Sequence, residues 1–323
     1  MNWNEKYRAM TLDDIKGQEH VISRMKALIK DIHNSKDGDF PHLLLYGQAG
    51  TGKNCAVECF LRDCFGESWK NNLISLNASD ERKIDTIRTK VKDAAKRARI
   101  STYKTVDGRE KDIPFNIIFL DEGDALTPDA QGALRRIIEE FSHITRFIFT
   151  CNYEHKIIGP IKSRCMVFRF RRLSPYAIKQ ILEPIIEKEQ IKINDDAFEE
   201  LCKVAKGDAR SGQNILQNAW LLKKQITIEM IDEISGKIRD INLNKLLSED
   251  FNELWDYIEG LFFENSMDTT EIIYSIMDKI KSTDAMIDFK RDMIYGASDA
   301  LYRCSLDNSI IHIVNWIWNR ERK

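Results

Sequence analysis

The run Gly47-Gln48-Ala49-Gly50-Thr51-Gly52-Lys53 constrains this 323-residue chain more than any other feature. It follows the apolar residues 42–46 and leads into residues 52–65, whose apolar positions recur at helical spacing. A G-x-x-x-x-G-K loop set between a strand and a helix is suited to cradling phosphates. Glycines let backbone N–H groups turn inward, the helix N-terminus adds partial positive charge, and Lys53 reaches the outer phosphates. The alternative is a glycine-rich turn without a ligand, and the strand-loop-helix context speaks against it.

That unit implies its surroundings. Short apolar runs at residues 42–46, 73–76, 115–120, 146–150 and 166–170 alternate with amphipathic stretches at 52–65, 84–98 and 129–140. The alternation predicts an α/β fold, a parallel five-stranded sheet with flanking helices. After Arg172 the pattern is helical only. It opens at Ser174, a capping hydroxyl, with Pro175 at the favoured first position, and Pro184 is expected to bend the helix it sits in. A last helical block from Lys237 carries Trp255, Phe262, Phe263, Tyr274, Trp316 and Trp318. Trp316 and Trp318, two apart, are not expected to face one core, which leaves one for a subunit contact. The length suits two or three domains, drawn at 1–172, 173–236 and 237–323. Residues 101–112 read as a long polar loop with a turn at Asp107-Gly108.

Composition narrows the class. Hydrophobic residues at 43% and charged residues at 31% describe a soluble globular chain. No apolar run reaches the roughly 18 residues of a membrane span, and residues 1–7 lack a signal-peptide pattern. A protein of the cell interior, with no membrane partner, is the expectation. Seven scattered cysteines argue for reduced thiols, and Cys55, Cys59 and Cys64 lack the paired spacing and fourth ligand of a zinc site. The net charge of −2 excludes a module that is basic all over. Positive charge is nevertheless local: residues 82–99 hold eight Lys or Arg against two Asp, and residues 162–172 hold five against no acid. On the helix expected at 84–99, Arg88, Lys92, Lys96 and Arg99 share a face beside the apolar stripe. Such a face can track duplex phosphates or be merely solvated.

The strand ending Ile117-Ile118-Phe119-Leu120-Asp121-Glu122 supplies acids to the same site. Asp121 is expected to hold Mg²⁺ through a water and Glu122 to polarise the attacking water. The residue after Lys53 should carry a hydroxyl for Mg²⁺, but this chain has Asn54. An amide oxygen is a legitimate hard ligand, though the longer side chain displaces it and Mg²⁺ tolerates poor octahedral geometry badly. Binding should therefore survive better than hydrolysis.

Further motifs extend along the chain: WNEKYRAMTLDDIKGQE at 3–19, Asn77-Ala78-Ser79-Asp80-Glu81-Arg82, Leu120-Asp121-Glu122-Gly123-Asp124, Thr150-Cys151-Asn152, Ser163-Arg164-Cys165 and Gly207-Asp208-Ala209-Arg210. With these the chain resembles the AAA+ clamp-loader ATPases, and among them the small subunits of replication factor C, over nearly its whole length. The resemblance implies an AAA+ P-loop domain followed by a helical lid and a helical collar. It implies ATP with Mg²⁺, held by Tyr7 and Arg8 beside the base, by Gly47, Gln48, Ala49, Gly50, Thr51, Gly52, Lys53 and Asn54, and by Asp121 as metal ligand. Glu122, Lys53 and Asn152 would be catalytic, Asn152 contacting the γ-phosphate or the water; Arg210 would join the lid to the γ-phosphate. Arg164 would act in trans as an arginine finger. Arg82, Lys83, Arg88 and Lys92 would contact DNA. The implied partners are other loader subunits in a heteropentamer, a sliding clamp and primer-template DNA, in the nucleus of a eukaryote or the cytoplasm otherwise. Two rivals stand beside this: a branch-migration type of motor, and a non-hydrolysing subunit that only donates Arg164. Ala9, Met10, Gln48, Ala49 and Gly123 depart from the family pattern in ways that look tolerable, whereas Asn54 touches catalysis directly.

Overall fold

The computed structural model describes residues 2–35, 39–79, 89, 91–93, 101–104, 108, 110–113, 115–222, 224–235, 241–263, 268–283 and 287–319. The chain forms two compact units, residues 1–226 and 227–323.

The first unit is organised by a five-stranded sheet. Helix α1 (Glu19–Asn34) precedes strand β1 (His42–Tyr46), and α2 (Lys53–Phe65) follows it; β2 is Leu73–Asn77. Strands β3 (Ser101–Lys104) and β4 (Glu110–Ile113) form a separate antiparallel pair. Then come β5 (Asn116–Asp121), α3 (Pro128–Phe141), β6 (Thr145–Cys151) and β7 (Cys165–Arg169). The sheet order is β2-β5-β6-β1-β7, with every neighbouring pair parallel. Strands buried on both faces read as unbroken apolar runs, which is why β1, β5 and β6 were legible as Leu-Leu-Leu, Ile-Ile-Phe-Leu and Phe-Ile-Phe.

Side chains alternate across the sheet with period two. Leu43, Leu45, Ile117 and Ile148 point to one face, where Val21 and Met25 of α1 and Phe60 and Phe65 of α2 cover them. Leu44, Ile118, Phe147 and Phe149 point to the other, against Leu134 and Ile138 of α3. Leu44 and Phe147 are fully buried, and truncating either to Ala is expected to cost about 2–5 kcal/mol. Helix α3 starts where Thr127 accepts the Ala130 N–H, with Pro128 at the first position.

Three helices complete this unit: α4 (Pro175–Lys188), α5 (Asp195–Val204) and α6 (Ala209–Leu221). The Ser174 hydroxyl accepts the Ala177 N–H at 3.2 Å to begin α4, and Pro184 lies inside that helix. Among the described residues the second unit is entirely helical, with α7 (Ile228–Ser235), α8 (Phe251–Phe263), α9 (Thr269–Ser282), α10 (Ile287–Asp307) and α11 (Ile311–Trp318).

Two sequence expectations are corrected. Residues 101–104 and 110–113, expected within a polar loop, pair as antiparallel strands: Tyr103 and Ile113 are buried, and the Tyr103 ring meets Phe65 edge-on at 5.1 Å. Two buried side chains suffice to anchor otherwise polar strands. Trp316 and Trp318 also share one core. Trp316 is buried with its indole N–H donating to the Met293 carbonyl at 3.0 Å, while Trp318 packs at the margin of the same cluster and meets Phe251 at 5.1 Å. The core wraps round the end of α11, so a separation of two residues does not send one ring away. Most of the helix expected at 84–98 lies outside the described residues.

Candidate nucleotide site

The glycine loop leaves the carboxyl end of β1, the edge where parallel sheets place ligands. Gly47 has φ +152°, and a Cβ there would sit 2.3 Å from the Phe170 carbonyl oxygen. Gly50 has φ +66°, and its Cβ would fall 1.7 Å from an Asp208 carboxylate oxygen. Neither position admits a side chain. The loop closes onto the next layer because the Ala209 N–H donates to the Gly50 carbonyl at 3.0 Å. That bond comes from the first turn of α6, whose start Asp208 caps through the Ser211 N–H at 3.0 Å.

Lys53 opens α2 and is buried. Its Nζ donates to the Gly47 carbonyl at 2.7 Å, the Gln48 carbonyl at 2.8 Å and Asn152 Oδ1 at 3.0 Å. All three acceptors are neutral. Burial pushes the Lys53 ammonium below its ordinary pKa, against the upward pull of Cys151, Asp121 and Asp124. A buried cation held only by neutral oxygens is costly unless an anion completes it. The cradle that excludes Cβ atoms and this uncompensated charge together fit a phosphate chain.

Asp121 and Glu122 line the same cavity. Asp121, the last residue of β5, accepts the Thr150 hydroxyl, the Asn54 side-chain amide and the Glu122 N–H, the last at 2.9 Å. Glu122 is exposed and left-handed, with φ +55°, a conformation that costs a non-glycine residue energy and re-aims its side chain. Asp124 receives the N–H groups of Asn152 at 3.3 Å and Tyr153 at 3.2 Å, holding the end of β6 in place.

These groups line a cavity of about 760 Å³, within the range of small-molecule sites. Tyr7, Arg8, Ala49 to Asn54, Asp121, Glu122, Asn152 and Arg210 are all on its wall. Gly47 and Gln48 are not; they lie behind, turning carbonyls to Lys53. Sequence reasoning missed the apolar wall of Ile15, Leu173, Ile181 and Ile185, which suits the face of a base. It also missed Gln18, fully buried, whose amide donates to the Arg171 carbonyl at 2.7 Å behind the loop. At the cavity rim the N-terminal segment is tied down: the Trp3 N–H donates to Gln217 at 3.0 Å, Tyr7 and Lys6 reach Glu189, and Arg8 pairs with Glu58 at 2.8 Å.

Arg164 is elsewhere. It immediately precedes β7, and Cys165 pairs in register with His42 at the start of β1. The five residues of β1 therefore separate it from the loop, about 13 Å of strand. There it is exposed, ion-paired with Glu139 and bonded to the Pro160 carbonyl at 2.7 Å. Lys92 pairs with Glu140 at 3.4 Å, and Arg82, Lys83 and Arg88 lie outside the described residues.

Residues 43–173 match the family described as "ATPase family associated with various cellular activities (AAA)". The replication factor C small subunit of Archaeoglobus fulgidus is 40% identical over 284 residues, covering 87% of this chain and 84% of that protein. That of Methanococcus vannielii is 39% identical over 282 residues, covering 86% and 84%. The chain belongs to the replication factor C small-subunit family. It carries an AAA ATPase domain. The fold is also that of the Thermotoga maritima RuvB Holliday junction branch migration motor, with a TM-score of 0.55 at 16% identity over 81% of this chain and 86% of that one. Relatedness by sequence thus favours the replication factor C reading over the branch-migration rival, while the shared fold is common to both. No helix among the described residues is long and apolar enough to cross a membrane.

Proposed function

We propose that this subunit binds ATP in the cavity beside Lys53 and works in a ring of related subunits, a heteropentamer, that opens a sliding clamp and sets it on primer-template DNA. The observation that carries this reading is the buried Lys53 ammonium hydrogen-bonded to neutral oxygens on the wall of a cavity that Asp121, Glu122 and Arg210 also line. The triphosphate would lie over Gly50 to Lys53, with its base against Ile15, Leu173 and Ile181 and beside Tyr7 and Arg8. Asn152, already bonded to Lys53, would donate its amide to the γ-phosphate or an attacking water, and Glu122 would orient that water.

Mg²⁺ is the finer part of the expectation, with Asn54 and Asp121 as its ligands; when bound it would share the charge of the phosphates. The residues present fit the nucleotide. As arranged, with Asn54 bonded directly to Asp121, they do not offer the metal a seat.

Arg164 lies at the far end of β1 from its own cavity, which supports a role in trans, at a neighbour's site. Arg210, on the cavity wall at the start of α6, would let residues 173–236 act as a lid that senses nucleotide, and residues 237–323 would form the collar. Arg82, Lys83, Arg88 and Lys92 are proposed to follow DNA phosphates, with Lys92 first leaving Glu140. The test is ATP turnover by the subunit assembled with its partner subunits. Turnover stimulated by clamp and primed DNA together is the expected result; assembly with no stimulation by either would refute the reading.

A further inference from the structure

Asn54 stands where the phosphate-loop helix would carry a hydroxyl, and its side chain donates to Asp121 Oδ2. Only the NH₂ end of an amide can face a carboxylate, so the chemistry settles which atom points at Asp121 and turns the amide oxygen away from it. A Ser or Thr hydroxyl does two things at one atom: it donates its hydrogen to a carboxylate and keeps lone pairs for a cation. An amide divides those tasks between two atoms on opposite arms. For Asn54 Oδ1 and Asp121 to hold one cation together, Asn54 would first have to release Asp121. The other carboxylate oxygen of Asp121 is occupied too, by the Thr150 hydroxyl and by the Glu122 N–H at 2.9 Å. Neutral donors of this chain therefore engage both oxygens of the acid that should face the metal.

We propose that the Asn54 amide takes the seat of the divalent cation beside Asp121, so that this subunit holds its nucleotide without Mg²⁺. The inference rests on the nucleotide reading of the cavity and goes beyond it by naming how the phosphate charge is met. That charge falls to Lys53, to the N–H groups of the loop and the first turn of α2, and to Arg210, which lines the same cavity. Asn54 supplies Asp121 with a donor, so the acid does not face the phosphates bare.

The test is calorimetric titration of the whole chain with ADP, in excess Mg²⁺ and again in excess EDTA. For the natural chain the two dissociation constants are expected to agree within about threefold. Asn54→Thr should acquire a dependence on Mg²⁺ of about tenfold or more, the scale on which a restored metal ligand acts, with Asn54→Ser giving the same comparison should threonine disturb the fold. Asn54→Ala, which strips the donor from Asp121, should bind more weakly than the natural chain in EDTA. A natural chain that loses tenfold in EDTA overturns the proposal, as does an Asn54→Thr variant equally indifferent to Mg²⁺ or an Asn54→Ala variant as tight as the natural chain in EDTA. Absence of ADP binding by the natural chain in both conditions would overturn the nucleotide reading itself, an outcome distinct from those three.

Discussion

The two ends of strand β1 both gather charged and titratable groups, yet they treat charge in opposite ways. At the His42 end the account is closed. Arg146 pairs with Asp39, Arg164 pairs with Glu139, and His42 Nδ1 accepts the Phe147 N–H at 3.1 Å. Burial, helped by the Arg146 charge, lowers the His42 pKa to about 4, so the ring stays neutral at physiological pH. At the Lys53 end a buried cation donates to neutral acceptors, and Asp121 and Glu122 line the same cavity. The difference separates a buried cation without an anionic hydrogen-bond partner from a surface arginine that already has a carboxylate, one it would have to release to serve a neighbour as proposed.

The largest effect expected from that separation is at Arg164. In the assembled complex Arg164→Ala should slow single-turnover hydrolysis at the neighbouring site by about a thousandfold, the scale of an arginine finger, with this chain's own ATP affinity unchanged. A fall in its own affinity would break the division between the two ends.

His42 gives the next effect, on stability. Its folded pKa of about 4 lies below the ordinary 6.5, so the unfolded chain takes up a proton first as the pH falls. The stabilisation is full above pH 6.5 and is lost as pH drops toward 4, by at most about 3 kcal/mol. Denaturant titrations of His42→Asn, which keeps an acceptor without titrating there, should show a shallower acid limb. Nucleotide affinity should not follow the same curve; if it does, the ends are coupled.

Gly50→Ala is a smaller perturbation at the opposite end. The added methyl meets the Asp208 carboxylate at a left-handed position, and a stability loss of about 1–3 kcal/mol with weaker ATP binding is expected. Gly132→Ala, in open space on α3, is the control and should be neutral or slightly stabilising in thermal melts.

The Lys53 end was largely legible in the sequence, because its parts are local. A strand, a glycine loop and a helix start are consecutive, and the Asp121-Glu122 pair follows an unmistakable apolar run. What stayed hidden depends on neighbours far along the chain. Gln18 looks like any surface amide until the start of α1 sets it against the Thr51 carbonyl, and Asp124 looks like a solvated acid until β6 brings Asn152 and Tyr153 to it. The pairing of residues 101–104 with 110–113 was obscured because Phe65, whose ring packs against Tyr103, lies 38 positions earlier. Asn54 shows the boundary between the two kinds of information. Its departure from the motif was visible, whereas its bond to Asp121 required β5 to lie beside the first turn of α2.

The central claim is that Lys53 is buried for a phosphate and at the expense of the empty fold, since burial lowers its pKa. Thermal unfolding with and without saturating ATP tests it in one measurement. The account predicts that the natural chain gains several degrees from ATP, whereas Lys53→Ala melts no lower than the natural chain without nucleotide and gains almost nothing from it. A Lys53→Ala variant that melts lower without nucleotide yet keeps the full ATP-dependent rise would contradict the account.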